Sequence, residues 1–266
     1  MQPETPHVGV NLITVLVGNT TINVARSLGD EIHEHTRISV DRIGSAVDAI
    51  AGFKSAPIVV ASVNEQVAQE LVDRLRRDDG IDSEIHRIGS DIPTSIASSL
   101  PDSAGTGQDR LLAAAGAYAL LEQACVVVDA GTAVTVDFVD GEGVFQGGAI
   151  LPGMAMSLRA LHEGAEALPE IEPAKPDHAE PFGKSTEQAM LNGAIYGVSG
   201  AVRLLTERYA ERYGAYPLLI ATGGDAEMIF AGDDLVDRIV PDLALRGIAI
   251  AYQDALAGDT ASGLSR

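Results

Sequence analysis

Two apolar β-type runs, each turning through a short Gly/Thr loop into a second β-type run, lie about half a chain apart. The first reads Val15-Leu16-Val17-Gly18-Asn19-Thr20-Thr21-Ile22-Asn23, the second Val128-Asp129-Ala130-Gly131-Thr132-Ala133-Val134-Thr135-Val136. Glycine lets such a turn bring backbone N–H groups close to a phosphate, because no Cβ stands in the way. Two copies constrain the fold strongly: they imply a duplicated architecture that clasps a nucleotide between its halves. The copies differ in one chemically important place, since the second carries Asp129 where the first has Leu16.

Strand-like and helix-like segments alternate along the chain, which indicates an α/β fold. The hairpin opening each half makes each sheet mixed rather than wholly parallel. Strands are expected over residues 11–17, 20–25, 57–62, 83–88, 125–129, 134–139, 144–150, 218–222 and 236–240. Helices are expected over 45–53, 64–77, 109–123, 154–168, 185–213 (interrupted near Gly193–Gly200), 225–231 and 241–256. Residues 89–107, rich in Ser, Gly, Pro and Asp, read as a long loop. The tail from Ala257 reads as polar and frayed. The division into halves is placed between residues 120 and 121, giving an N-terminal domain over 1–120 and a C-terminal domain over 121–266.

The 266 residues suffice for one large domain or two of ordinary size, and with 46% of them hydrophobic the chain can bury a sizeable core. The net charge of −20 argues against nucleic acid or an anionic membrane as partner. It does not exclude an anionic substrate, since backbone amides and a metal ion can hold phosphate. The single cysteine, Cys125, opens an apolar run and reads as a buried reduced thiol. No signal-like segment opens the sequence and no apolar run reaches spanning length, so a cytoplasmic protein is expected.

Several motifs carry possible chemistry, each beside an ordinary structural explanation. In Asp129-Ala130-Gly131-Thr132 an acid could hold a cation against a phosphate that Thr132 bonds; Asp and Gly are equally common in a plain hairpin turn. Thr222-Gly223-Gly224-Asp225 ends a strand and opens a helix, where amides can face an anion or simply turn the chain. Gly107-Gln108-Asp109-Arg110 enters a helix. Asp109 could accept the proton of an attacking hydroxyl, and Thr106-x-x-Asp109 also resembles a capping box; the two roles are compatible. The glycines of Gly147-Gly148-Ala149-Ile150-Leu151-Pro152-Gly153 permit close approach to a ligand, or a tight bend. His33 and His35 read as a solvated pair, and His162 as a packed helix histidine.

Together these segments resemble the type III pantothenate kinases, also called Bvg accessory factor-like proteins. The resemblance rests on Gly18-Asn19-Thr20, Gly107-x-Asp109-Arg110, Asp129-x-Gly131-Thr132-Ala133, Gly147-Gly148-x-Ile150-x-Pro152-Gly153, Ala167-Leu168-Pro169, Gly183-Lys184-Ser185-Thr186, Gly193 and Thr222-Gly223-Gly224, in that order over roughly residues 12–250. It implies two RNase H-like halves of the acetate and sugar kinase/actin superfamily, with mixed sheets flanked by helices. It further implies ATP-dependent phosphorylation of pantothenate to 4′-phosphopantothenate, the first step toward coenzyme A. Mg²⁺, a monovalent cation (K⁺ or NH₄⁺) and a homodimer are implied with it.

Carried over by position, Asp109 matches the general base and Gly107, Gln108, Asp109 and Arg110 the pantothenate segment, with Thr186 a further pantothenate contact. Asp129 matches the monovalent cation ligand and Thr132 an ATP contact. The Gly-rich turns at Gly18, Asn19, Thr20 and at Gly223, Gly224 are assigned to the nucleotide. The family's first loop has an acid and a cation where this chain has Leu16 and Asn23, and the family has an aromatic residue upstream of Gly-x-Asp-Arg where residues 98–106 of this chain hold no Tyr or Phe. Two further functions therefore stay open: a non-catalytic or weakly active member that binds nucleotide or a pantothenate-like ligand as a regulator, and kinase or phosphatase action on another small molecule.

Overall fold

A computed structural model of the chain describes residues 10–53, 56–101, 105–175 and 181–263. The chain forms two compact units. One takes in the residues up to Ile96, Asp102–Gly116 and the chain from Asp242 onward; the other takes in Ala97–Pro101 and Ala117–Pro241. One crossing, at Gly116/Ala117, lies close to the expected cut at 120/121. The other exchanges follow from pairing and packing. The dipeptide strand Ala97–Ser98 joins the second unit's sheet, and the C-terminal helix packs on the first unit's strands.

The first unit holds a five-stranded sheet. Its strands are β1 (Asn11–Val17), β2 (Thr21–Leu28), β3 (Glu31–Ser39), β4 (Ile58–Ser62) and β5 (Ile85–Arg87), in the order β3-β2-β1-β4-β5. β1, β2 and β3 are antiparallel neighbours, whereas β4 and β5 run parallel to β1. Alternation along β1 sends Ile13, Val15 and Val17 to one face. There they pack with helices α1 (Ile43–Gly52) and α2 (Glu65–Arg77), through Ile50, Leu71 and Leu75. Asn64 caps α2 as expected, its Oδ1 accepting from Val67 N–H at 3.4 Å. The C-terminal helix α7 (Leu243–Gly263) lies against β1 and β4 and continues through much of the tail expected to be frayed.

β3 is absent from the sequence expectation because it is an edge strand whose mostly exposed charged and polar residues mask the apolar alternation. Helix α3 (Gln108–Leu121) meets α7 almost backbone to backbone: a Cβ on Gly247 would stand 2.0 Å from the Leu112 carbonyl oxygen. That contact anchors the helix that carries Asp109.

The second unit holds a six-stranded sheet of β6 (Ala97–Ser98), β7 (Cys125–Ala130), β8 (Ala133–Val139), β9 (Val144–Pro152), β10 (Leu218–Thr222) and β11 (Arg238–Ile239), ordered β11-β10-β7-β8-β9-β6. Both sheets are mixed, as the hairpins imply. Helices α4 (Met154–Gly164), α5 (Thr186–Tyr213) and α6 (Ala226–Phe230) cover one face, around Val128, Val134, Val136 and Phe230. The expected interruption of α5 at Gly193–Gly200 does not occur. Met190, Ala194, Ile195, Val198 and Val202 form a continuous buried stripe at helical spacing, and that burial outweighs the weak propensity of the glycines. Among the described residues, no helix is long and apolar enough to cross a membrane.

Candidate active site

In the first unit, the candidate segments gather at the carboxyl ends of the parallel strands β1 and β4, the end of an α/β sheet where ligands ordinarily bind. Gly18 N–H donates to the Thr21 carbonyl at 2.8 Å and closes the first turn, leaving Asn19 and Thr20 exposed at its tip. Beside it, Val63 N–H donates to the Val17 carbonyl at 3.0 Å. The start of α3 lies next to Val63: a Cβ on Gly107 would sit 3.8 Å from Val63 Cγ1. One chain of contacts thus links the turn to Asp109.

The Gly107 carbonyl accepts the first bonds of α3, from Arg110 and Leu111 N–H. Gly107 is therefore the cap, and Thr106 lies one residue too early for the expected capping box. Asp109 instead folds its carboxylate back over the first turn, where Oδ1 accepts from Arg110 N–H at 2.8 Å and lies 2.6 Å from the position of a Gly107 Cβ. A carboxylate there is favoured by the helix dipole. Gln108 Oε1 accepts from Ser62 N–H at 3.3 Å, and its Nε2 donates to the Ile88 carbonyl at 3.1 Å. Nothing in the local sequence marks these two bonds, since both partners are backbone groups distant in the chain.

The two residues that depart from the family loop are themselves neighbours: Leu16 pairs with Asn23 in the β1–β2 register. Asn23 Oδ1 lies 3.1 Å from His35 Nε2, and His35 Nδ1 lies 3.1 Å from Asp242 Oδ2. His35 is thus tied to β2 and to the start of α7 rather than simply solvated beside His33.

In the second unit, Asp129 stands one residue before the end of β7, opposite Thr222 of β10. Asp225 N–H donates to the Ala130 carbonyl at 2.9 Å, drawing the two turns together. Gly223, at φ +94°, lies so close that a Cβ would stand 2.3 Å from Ala130 O and 2.5 Å from Asp129 Oδ1. Gly153 packs on the same turn, with its N–H donating to the Thr132 carbonyl at 3.2 Å and its missing Cβ opening onto Gly131 O. Gly148 is likewise pressed against Val136 O. The close approaches permitted by Gly148 and Gly153 are therefore to the protein's own backbone. Thr132, Gly223 and Gly224 stay exposed, and Gly223 lies against the Asp129 carboxylate. Such an arrangement offers amides, a hydroxyl and one carboxylate to a phosphate and its counterion.

Thr186 opens α5, exposed, behind the cap Ser185, whose Oγ accepts from Gln188 N–H at 3.2 Å. A second hydrogen bond, from the Ser185 hydroxyl to the Glu187 carboxylate, holds that carboxyl below its ordinary range. His162 packs through Nδ1, 2.8 Å from the Leu168 carbonyl oxygen. Burial pushes the Cys125 thiol up to about 12, away from any nucleophilic role.

A family model for type III pantothenate kinase matches residues 12–208. The chain is 36% identical over 204 residues to a type III pantothenate kinase of Akkermansia muciniphila, covering 77% of this chain and 81% of the relative. It is 30% identical over 260 residues to one of Dehalococcoides mccartyi strain CBDB1, covering 91% and 95%. In fold it is similar to a solved Campylobacter jejuni protein described as a Baf family transcriptional activator (TM-score 0.58, 21% identity, 92% of this chain and 99% of that one). It is similar also to a Sinorhizobium meliloti protein described as a 2-dehydro-3-deoxygalactonokinase (TM-score 0.57, 13% identity, 92% and 99%).

Proposed function

The chain belongs to the type III pantothenate kinase family, and on that footing we propose that it transfers the γ-phosphoryl group of ATP to a hydroxyl of pantothenate, giving 4′-phosphopantothenate for coenzyme A synthesis. The observation that carries the reading is the reach of the family match. Residues 12–208 take in the first turn, Asp109 and Asp129 together.

Phosphoryl transfer asks a protein mainly for positioning and for stabilisation of spreading negative charge. Asp109 is the base that accepts the hydroxyl proton. Gly107 and Arg110 serve the pantothenate segment, with Arg110 suited to a carboxylate, and Thr186 is a further pantothenate contact; Gln108 lies in the same segment with its amide turned to backbone. For the nucleotide, the first unit offers Gly18, Asn19 and Thr20, and the second unit by itself offers Thr132, Gly223 and Gly224, through amides, a side-chain amide and hydroxyls.

Among the described residues, no three His, Cys, Asp or Glu side chains converge on a metal site. Mg²⁺ does not need such a cage, because it keeps several waters and takes one or two carboxylates together with substrate phosphates. The residues fit on that basis: Asp129 lies in a cradle that a Gly223 Cβ would fill. Asp129 would hold the cation, the monovalent ion (K⁺ or NH₄⁺) included, and a bound divalent ion supplies neutralisation of phosphate charge. The protein works as a homodimer in this reading. Exposed Leu161, Tyr196 and Leu204 on α4 and α5, beside a groove of about 480 Å³ lined by Leu151, Pro152, Gly193 and Gly197, support it.

One observation favours a second reading, a weakly active member that binds nucleotide or a pantothenate-like ligand as a regulator. Leu16 cannot coordinate a hard cation, and Asn23 carries no charge for the phosphates. ADP release by purified protein with ATP, pantothenate, Mg²⁺ and K⁺ decides between them. Pantothenate-dependent release that Asp109→Asn abolishes supports the kinase; no release above background supports the regulator.

A further inference from the structure

We infer that Gln108 is a positioning residue for Asp109, acting as a splint across the open end of the first unit's parallel ladder. The inference rests on the reading of Asp109 as the base. In the β4–β5 pair, Ile58 N–H donates to Glu84 O at 2.8 Å and Ile88 N–H donates to Val60 O at 2.9 Å. The regular alternation of a parallel ladder makes Ser62 N–H to Ile88 O the next rung. At that place the Gln108 amide stands between the two groups. Its Oε1 accepts from Ser62 N–H at 3.3 Å, and its Nε2 donates to Ile88 O at 3.1 Å. A primary amide presents an acceptor and a donor together, as a peptide group does, so it extends the ladder where the strands part.

Room for the amide is provided by a glycine. Gly89 adopts φ +91°, and a Cβ on it would lie 2.4 Å from Gln108 Nε2. The splint also reaches the first turn, because Val63, next to Ser62, donates to Val17 O. Gln108 therefore fixes the start of α3, and with it the adjacent Asp109, relative to the Gly18–Thr20 turn. Its amide faces backbone on both sides, which assigns it to positioning rather than to a direct pantothenate contact. Small misplacements of a reacting group cost large factors in rate.

The test uses steady-state kinetics and amide hydrogen exchange on full-length protein. Gln108→Ala should lower kcat about tenfold or more with little change in the KM for pantothenate. It should also speed exchange at the Ser62 amide. Gln108→Glu retains the acceptor for Ser62 but turns a carboxylate oxygen toward the Ile88 carbonyl. Its kcat relative to the parent should rise as pH falls, because a protonated carboxyl can again donate. A parental kcat in Gln108→Ala, or a loss confined to pantothenate KM, would overturn the inference. Should the alanine variant fail to fold, a flat pH ratio for Gln108→Glu would overturn it equally. Asp109→Asn separates the two claims. Full activity in that variant removes the base reading, whereas its inactivity beside a fully active Gln108→Ala removes only the splint.

Discussion

Leu16 and Asn23 stand directly opposite each other in the antiparallel β1–β2 pair, so the two departures from the family loop form a single cross-strand pair on one face. An acid at 16 and a cation at 23 would be partners before any ligand arrived. The double variant Leu16→Asp/Asn23→Lys should therefore tolerate both charges better than either single variant does. Cross-strand opposite charges contribute about 0.2–1 kcal/mol. We expect the double variant to raise kcat/KM for phosphoryl transfer by about tenfold, some 1.4 kcal/mol of barrier, and to saturate at lower Mg²⁺. ADP release titrated against Mg²⁺ measures both. Robust parental turnover unimproved by the change would mean that the loop holds the phosphates in another way.

Asp109 combines two tasks that one substitution separates. Asparagine keeps an oxygen to accept from Arg110 N–H, now 2.8 Å from Oδ1, but cannot take a proton. Asp109→Asn should lose about 10²–10⁴-fold in kcat with nearly the parental Tm. Asp109→Ala should lose the same activity and a further ~0.5–2 kcal/mol of stability, the usual range for a removed helix-end acceptor. Calorimetry beside the kinetic assay distinguishes them, and a fully active Asp109→Asn beside a destabilised but active Asp109→Ala would leave only the helix-end role.

Gly223 and Gly200 should respond in opposite directions to alanine. A Cβ on Gly223 would meet Ala130 O and Asp129 Oδ1 inside contact distance, at a positive φ. Gly223→Ala should cost about 1–3 kcal/mol for the backbone conformation alone, and it should weaken ATP binding by pushing Asp129 aside. Gly200 lies within α5 with open space around its missing side chain, so Gly200→Ala should stabilise by roughly 0.5–1 kcal/mol. Urea unfolding of the two variants reads both signs.

The parts of the fold legible in the sequence were those written by local pattern. The apolar runs of β1 and β7, the Gly/Thr turns and the Asn64 cap each act within a few residues. β3 was illegible because solvent on an edge strand imposes little hydrophobic alternation. The continuity of α5 was hidden because its glycines speak locally while its buried stripe acts through the whole unit. Gly131-Thr132 and Gly223-Gly224 could be read as ligand turns; that they are drawn together by Asp225 N–H and Ala130 O could not, since that bond joins residues far apart in the chain. The same holds for Gln108, whose partners are backbone groups that carry no residue signature.

Cys125 offers a test of the second unit's core that is independent of catalysis. It is fully buried at the start of β7, and burial alone raises its thiol from 9.0 to about 12. The unfolded chain therefore releases this proton first as pH rises. Between about pH 9 and pH 12 the native state binds more protons than the unfolded one, so stability should fall with pH, by up to ~1.4 kcal/mol per unit from this group. Below pH 9 both states keep the proton and the contribution is level. Other groups titrate in the same window, so the quantity to measure is the difference between parent and Cys125→Ala in how the unfolding free energy, taken from urea titrations, changes with pH. That difference should appear above pH 9 and vanish below it. In parallel, a thiol reagent at pH 8 should leave the folded protein unlabelled and modify one thiol per chain after unfolding. Rapid labelling of the folded protein would show that the β7 end of this core opens to solvent.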